Sequence, residues 1–350
     1  MKIPPKQSNK IPNRMLLEWV AVARPPAGSI RFLEIPTMAH AVETMFYVRE
    51  TPWHGLGNRL ESAPTIGEAI VASGLDWSVG LRDLFTATGQ AVPARATVRE
   101  SDGSILGVVG PRYQPLQNAA AFDWFQPFID AGEVNLHTAG SLHCGAKVWV
   151  LAELNRDRAE VVAGDEVAKF LLLSNSHDGT TAVRVGFTPI RVVCANTLAA
   201  AHCATASKLL RVRHTRRLSL NLDRIREVVN TANAEFEATA DQYRLIASRG
   251  ISQADVRRYV KTLLGVEGTV DTDLPTRTAN IVADIVGRMD GTLQSMPGVS
   301  GTWWAAYNAY NEYLNYSRGR SADNRMGSLW FGTGANDNRK ALDLALSMSA

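Results

Sequence analysis

The chain has 350 residues, 45% hydrophobic and 20% charged, with a formal net charge of +3. This composition is ordinary for a soluble globular protein with room for two domains, and the small charge excludes a global field that would draw in a polyanion. Three cysteines at scattered positions argue against a disulfide scaffold and for a reducing compartment, which makes the cytoplasm the expected location. No apolar run reaches the roughly 18 residues of a membrane span, so no membrane partner is expected.

Residues 1–37 read as an upstream extension, disordered or loosely attached. They open polar and Pro-bearing, and Glu18 interrupts the short apolar run Leu16–Ala23, which is too short for a signal peptide. Met38 is a second start. A loop of aromatic and glycine residues follows at Trp53-His54-Gly55-Leu56-Gly57. Thr65-Ile66-Gly67-Glu68 has capping-box spacing and opens a short helix. Trp77–Phe85 is expected as a strand, and Val92–Arg99 and Ser104–Val109 as a hairpin around Asp102-Gly103. Leu116–Ile129 is expected as a helix that Pro127 kinks or ends.

The next stretch is the most informative. Val134–Leu142 and Lys147–Leu154 should pair through Cys144-Gly145. Glu166–Ser174 and Thr180–Val193 should pair across His177-Asp178-Gly179, because Asp-Gly between β-type runs is a hairpin signal. Asn196 then caps an Ala-rich helix. The predicted unit is β-β-β-α, the fold class α+β, with an antiparallel meander and a helical C-terminal half. Residues 38–207 form the β-rich part and 218–350 the helical region, with a basic segment at 208–217 between them. In the helical region, Leu222 to Ile246 carries a heptad-like seam that reads as internal packing. Ser252 caps a helix to Leu264, Thr278–Met289 is another, and Trp303, Tyr307, Tyr310 and Leu314 share one face that reads as core. Asn336 or Asp337 caps the last helix.

No GxxxxGK[ST], HExxH or paired CxxC is present in the sequence, and Gly332-Thr333-Gly334 reads as a turn, so no cofactor is expected. His143, Cys144, His177, Cys194, His202 and Cys203 lack the paired spacing of a zinc site, so no metal is expected. His177-Asp178 has two readings: an acid–base pair, or turn chemistry in which Asp178 bonds its own backbone. The basic segment holds Lys208, Arg211, Arg213, Arg216 and Arg217 with no acid among them. It reads either as a phosphate-binding strip or as a solvated linker. Arg184 and Arg191 in the last strand would extend a basic path across the sheet.

Three motifs carry a resemblance. They are Pro52-Trp53-His54-Gly55-Leu56-Gly57, then His177-Asp178-Gly179, then Thr188-Pro189-Ile190-Arg191-Val192-Val193-Cys194-Ala195-Asn196-Thr197-Leu198. Together they resemble the phage/plasmid-like protein family, domain of unknown function 932. The Trp303–Tyr316 stretch and Phe331-Gly332-Thr333-Gly334 resemble its C-terminal part. The family setting implies a role in the DNA metabolism of a phage, prophage or plasmid, or in host takeover, inside a bacterial host. A fold-level analogy to phage single-strand annealing proteins rests on element order alone. The leading expectation is binding of single-stranded DNA, extending to ATP-independent annealing by a homo-oligomer. A metal-dependent or His/Asp hydrolase or nuclease is one alternative, and a non-catalytic phage protein that binds a host factor is another.

Overall fold

The computed structural model describes residues 42–48, 57–191, 210–215, 224–319, 328 and 333–350. The fold is α+β, with strands in the N-terminal half and helices in the C-terminal half. The strands are β1 (Val42–Val48), β2 (Asn58–Leu60), β3 (Val79–Phe85), β4 (Ala91–Arg99), β5 (Ile105–Val109), β6 (Val134–Leu142), β7 (Lys147–Val162), β8 (Asp165–Ser176), β9 (Val183–Arg191) and β10 (Leu210–Val212). The helices are α1 (Ile66–Ala72), α2 (Asn118–Asp123), α3 (Gln126–Asp130), α4 (Arg224–Ala247), α5 (Gln253–Leu263), α6 (Thr276–Gly287), α7 (Trp303–Tyr316) and α8 (Thr333–Ser349). The extension at residues 1–37, the motif residues Trp53, His54 and Gly55, and the helix expected after Asn196 lie outside the described residues.

Seven strands form one sheet in the order β10-β9-β8-β7-β6-β1-β2, and β3-β4-β5 form a second. The meander from β6 to β9 is antiparallel throughout. Strand β8 is buried along nearly its whole length, which is how a strand reads when both faces of its sheet are covered. One face sets Val148, Val150, Leu171 and Leu173 against Phe122 of α2, Phe128 of α3 and Phe125 between them. The other sets Trp149, Leu151, Phe170 and Leu172 against Phe236, Tyr243, Trp304 and Tyr307 of α4 and α7. Each such side chain contributes roughly 1.5–3 kcal/mol when fully buried, so the seven-stranded sheet is the floor of two cores. The described part of the α4 seam and the aromatic face of α7 pack internally: Phe236, Tyr243 and Ile246, like Trp303, Tyr307, Tyr310 and Leu314, lie in that second core, while the side chains of the seam from Leu222 to Ala232 lie outside the described residues.

Several local expectations meet their physical cause. Thr65 and Glu68 form a complete capping box on α1. Ser252 caps α5 by accepting from the Asp255 N–H. Others are corrected. The Leu116–Ile129 helix is two short helices, with Pro127 in the first turn of α3, where a missing N–H costs nothing. Asn336 lies inside α8, which begins at Thr333. The basic segment is not only a linker, because Leu210–Val212 pairs with β9 as the outermost strand among the described residues. Strand β7 runs to Val162, well past Leu154, and the parallel pair β1–β2 has no counterpart in the sequence reading.

The His177-Asp178-Gly179 turn also differs from a two-residue hairpin. Strand β8 ends at Ser176 and β9 starts at Val183, so six residues connect them. Only Gly179 takes a positive φ there, +73°. The loop is pressed onto β5: a Cβ on Gly107 would lie 2.5 Å from the Asp178 Cα, and one on Gly179 would lie 2.8 Å from Val109 Cγ1. Gly179→Val therefore combines a left-handed backbone with a clash. Its expected cost is about 2–4 kcal/mol, read as a lower urea midpoint, and an unchanged midpoint would refute this loop geometry.

Candidate nucleic-acid interface

Next to that loop lies an open groove of about 1050 Å³, walled by Gly110–Gln114, Gly179–Ala182 and Arg213–Thr215. Its floor is rigid. Tyr113 stacks on His214 with centroids 4.6 Å apart, and the Tyr113 hydroxyl donates to the Ser176 carbonyl at 2.8 Å. The Gln114 N–H donates to the His214 carbonyl at 3.1 Å, and His214 Nδ1 donates to the Gln114 carbonyl at 3.1 Å. Arg95 ties the same loop down through the Pro111 and Tyr113 carbonyls. Burial pushes the Tyr113 hydroxyl pKa up and the His214 imidazole pKa down, so both are neutral near pH 7.

The motif residues of the loop are structural. His177 is fully buried. Its Nε2 donates to Asn118 Oδ1 at 3.0 Å, because the Asn118 amide nitrogen already serves the Leu75 and Trp77 carbonyls. His177 Nδ1 is left without a partner, so the side chain makes no hydrogen bond to Asp178. Asp178 instead accepts from the Thr180 N–H at 2.9 Å, the Thr180 hydroxyl at 2.6 Å and the Ser176 hydroxyl. This is the turn chemistry of an aspartate bonding its own backbone, not a dyad facing the groove. Among the described residues, no group of three or more His, Cys, Asp or Glu is placed to hold a metal. Cys194, His202 and Cys203 lie outside them.

The two strand arginines have opposite fates. Arg191 is buried in a bidentate pair with Asp165, its Nε 2.7 Å from Oδ1 and its Nη2 2.7 Å from Oδ2. Trp304 Nε1 donates to the same carboxylate at 2.8 Å, and Arg191 also reaches the Leu293 carbonyl. The pair takes Arg191 off the expected basic path and makes it a clamp between the sheet and α7. Arg184 is half-buried and sits opposite Arg211 across the β9–β10 pair. Val183, Val185 and Val212 turn into the core, so Arg184 and Arg211 share the other face. Burial, and next to it the Arg211 charge, lowers the Arg184 pKa. Among the described residues Arg184 has no carboxylate partner, nor have Arg112 and Arg213 of the groove wall. Arg112 is a residue the sequence reading missed, since it stands alone between Pro111 and Tyr113. Lys208, Arg216, Arg217 and Asn196 lie outside the described residues, and Pro189 sits within β9 opposite Lys169.

Two outcomes follow from this geometry. Arg191→Leu should lower stability by about 3–5 kcal/mol, because it strands a buried Asp165 carboxylate. The double variant Arg191→Leu/Asp165→Leu should cost less than the sum of the two singles, and simple additivity in urea unfolding would exclude the clamp. For His177, burial holds the folded-state pKa down to about 3, against 6.5 unfolded. Between those values the unfolded chain binds a proton that the folded one does not, so stability is complete above the unfolded value and is lost as pH falls. Relative to wild type, His177→Gln should flatten this acid limb between about pH 6 and 4, by up to about 1.4 kcal/mol per pH unit. Equal acid limbs would show that His177 is not buried as described.

Comparison with known proteins adds one finding. No curated protein and no solved structure matches the chain. The family model described as a domain of unknown function matches residues 105–330, a span that takes in the loop, β9, β10, the Arg191–Asp165 clamp and α7. The chain therefore belongs to the domain-of-unknown-function family DUF932.

Proposed function

We propose that this protein binds single-stranded DNA along the β9–β10 edge and the adjoining groove, by neutralising phosphates and without ATP. One observation carries the reading: Arg184 is half-buried, faces Arg211, and has no acid beside it among the described residues. Like charges directly opposite in a sheet are destabilising. An anion beside Arg184 would relieve the cost that burial and the Arg211 charge place on it, and arginine offers a phosphate two parallel donors. Arg213 continues the row two residues beyond Arg211, about 6.6 Å along an extended chain, and this suits successive phosphates of an extended strand. Arg112 lines the same groove. A single strand fits this edge better than a duplex, because one short row of arginines meets one backbone. Annealing, self-association and a role in phage or plasmid DNA metabolism belong to the same proposal, since aligned copies would extend the groove. The hydrolase reading is weaker, because His177 is enclosed and unattached to Asp178.

The test is fluorescence anisotropy with a labelled single-stranded oligonucleotide across a salt series. The triple change Arg184→Gln, Arg211→Ala, Arg213→Ala should weaken binding and flatten the salt slope. The expected loss is roughly 0.7 per contact, about two units if all three engage phosphates. Circular dichroism should stay unchanged. Wild-type protein that binds no single-stranded DNA at low salt would defeat the proposal and leave the host-factor reading first.

A further inference from the structure

On the other face of the sheet, the end of β9 meets α7 and α8 around a small cavity of about 40 Å³. Its wall is unusually polar for a core. Asn311 and Asn315 of α7 and Asn338 of α8 line it beside Glu312 and Arg191. The amide oxygens of Asn311, Asn315 and Asn338 are buried and accept no hydrogen bond, and Asn315 and Asn338 are only 4% and 3% exposed. The Asn315 orientation is fixed, because its Nδ2 donates to the Asn311 carbonyl at 2.6 Å. A buried amide oxygen without a donor costs about 1–3 kcal/mol, so three around one cavity call for an occupant.

The chemistry of the wall selects it. An anion is disfavoured by the three unpaired amide oxygens and by the Glu312 carboxylate in the wall. A divalent ion wants several free carboxylates, and here the single one, Glu312, already accepts from Arg288 at 2.6 Å and Gln294 at 2.6 Å. The Arg191 charge is matched by Asp165, so the pocket is close to neutral. One water donates only two hydrogen bonds, which leaves the third oxygen unpaired. Neutral carbonyl oxygens are the donor set that replaces the hydration shell of a monovalent cation. We propose that the Asn311–Asn315–Asn338 cavity is a binding site for one alkali cation, sodium or potassium, which fastens α8 to α7. The site is separate from the groove and does not depend on the DNA reading.

The experiment is thermal unfolding of the full chain in sodium, potassium or choline chloride at equal ionic strength. One alkali cation should raise the melting temperature saturably by roughly 2 °C at tenfold its dissociation constant, while choline, too large for the cavity, gives no rise. Asn338→Asp adds a carboxylate and should shift the preference towards calcium. Asn338→Leu should abolish the cation effect. If that variant fails to fold, a rubidium-soaked crystal of the wild type decides, with an anomalous peak expected among the three amides. Identical melting curves in all three salts, or no rubidium peak, would overturn the proposal and assign the cavity to ordered water.

Discussion

The buried pair between Arg191 and Asp165 is the constraint on which the two halves of the molecule depend. It joins the last residue of β9 to the first of β8, so it closes the end of the meander far from the His177 loop. Trp304 donates to the same carboxylate and brings in α7, whose other residues fill the core above the sheet. Desolvating two charges is expensive, and a buried pair of this kind is weak evidence for added stability. Its value lies in geometry. A bidentate fork tolerates little rotation, so the pair fixes where the helical half sits on the sheet in a way that apolar contact alone would not.

The same strand shows how context decides what a charge is for. Arg184 and Arg191 lie seven residues apart on β9. One finds an acid 26 residues upstream, held at hydrogen-bond distance on the neighbouring strand. The other finds a second arginine across the edge pair. An internal charge with its counter-ion supplied is part of the fold. A half-buried charge with no acid beside it among the described residues is not explained by the fold in the same way.

Much of the local structure was legible because it is written in short range. The capping box at Thr65, the cap at Ser252 and the glycine of the His177 loop each need only a few adjacent residues. The aromatic face of α7 was legible because its spacing suits a core face better than an exposed stacking platform. What was missed depends on distant partners. Leu210–Val212 is too short to show an alternation, and it becomes a strand by pairing with β9. The parallel β1–β2 pair is equally non-local. His177 reads as a solvent-facing turn residue until the three-stranded sheet closes over it, with the Thr97 hydroxyl donating to its carbonyl at 2.8 Å. Asp165, the decisive acid of the clamp, carries no sequence signal, since nothing in Gly164-Asp165-Glu166 points to an arginine on another strand.

The family motifs divide along the same line. In His177-Asp178-Gly179 each residue has a structural duty: an imidazole bonded to Asn118, a carboxylate that ties the loop to itself, and a glycine at positive φ against Val109. The loop forms part of the groove wall, and its buried histidine is neutral near pH 7, so it adds no positive charge there. Among the described residues, Arg112, Arg184, Arg211 and Arg213 bring positive charge to this edge, and none of them belongs to the His177 motif. A sequence motif can therefore mark the scaffold that shapes a site, while the residues that would meet the ligand stand singly on neighbouring strands and loops.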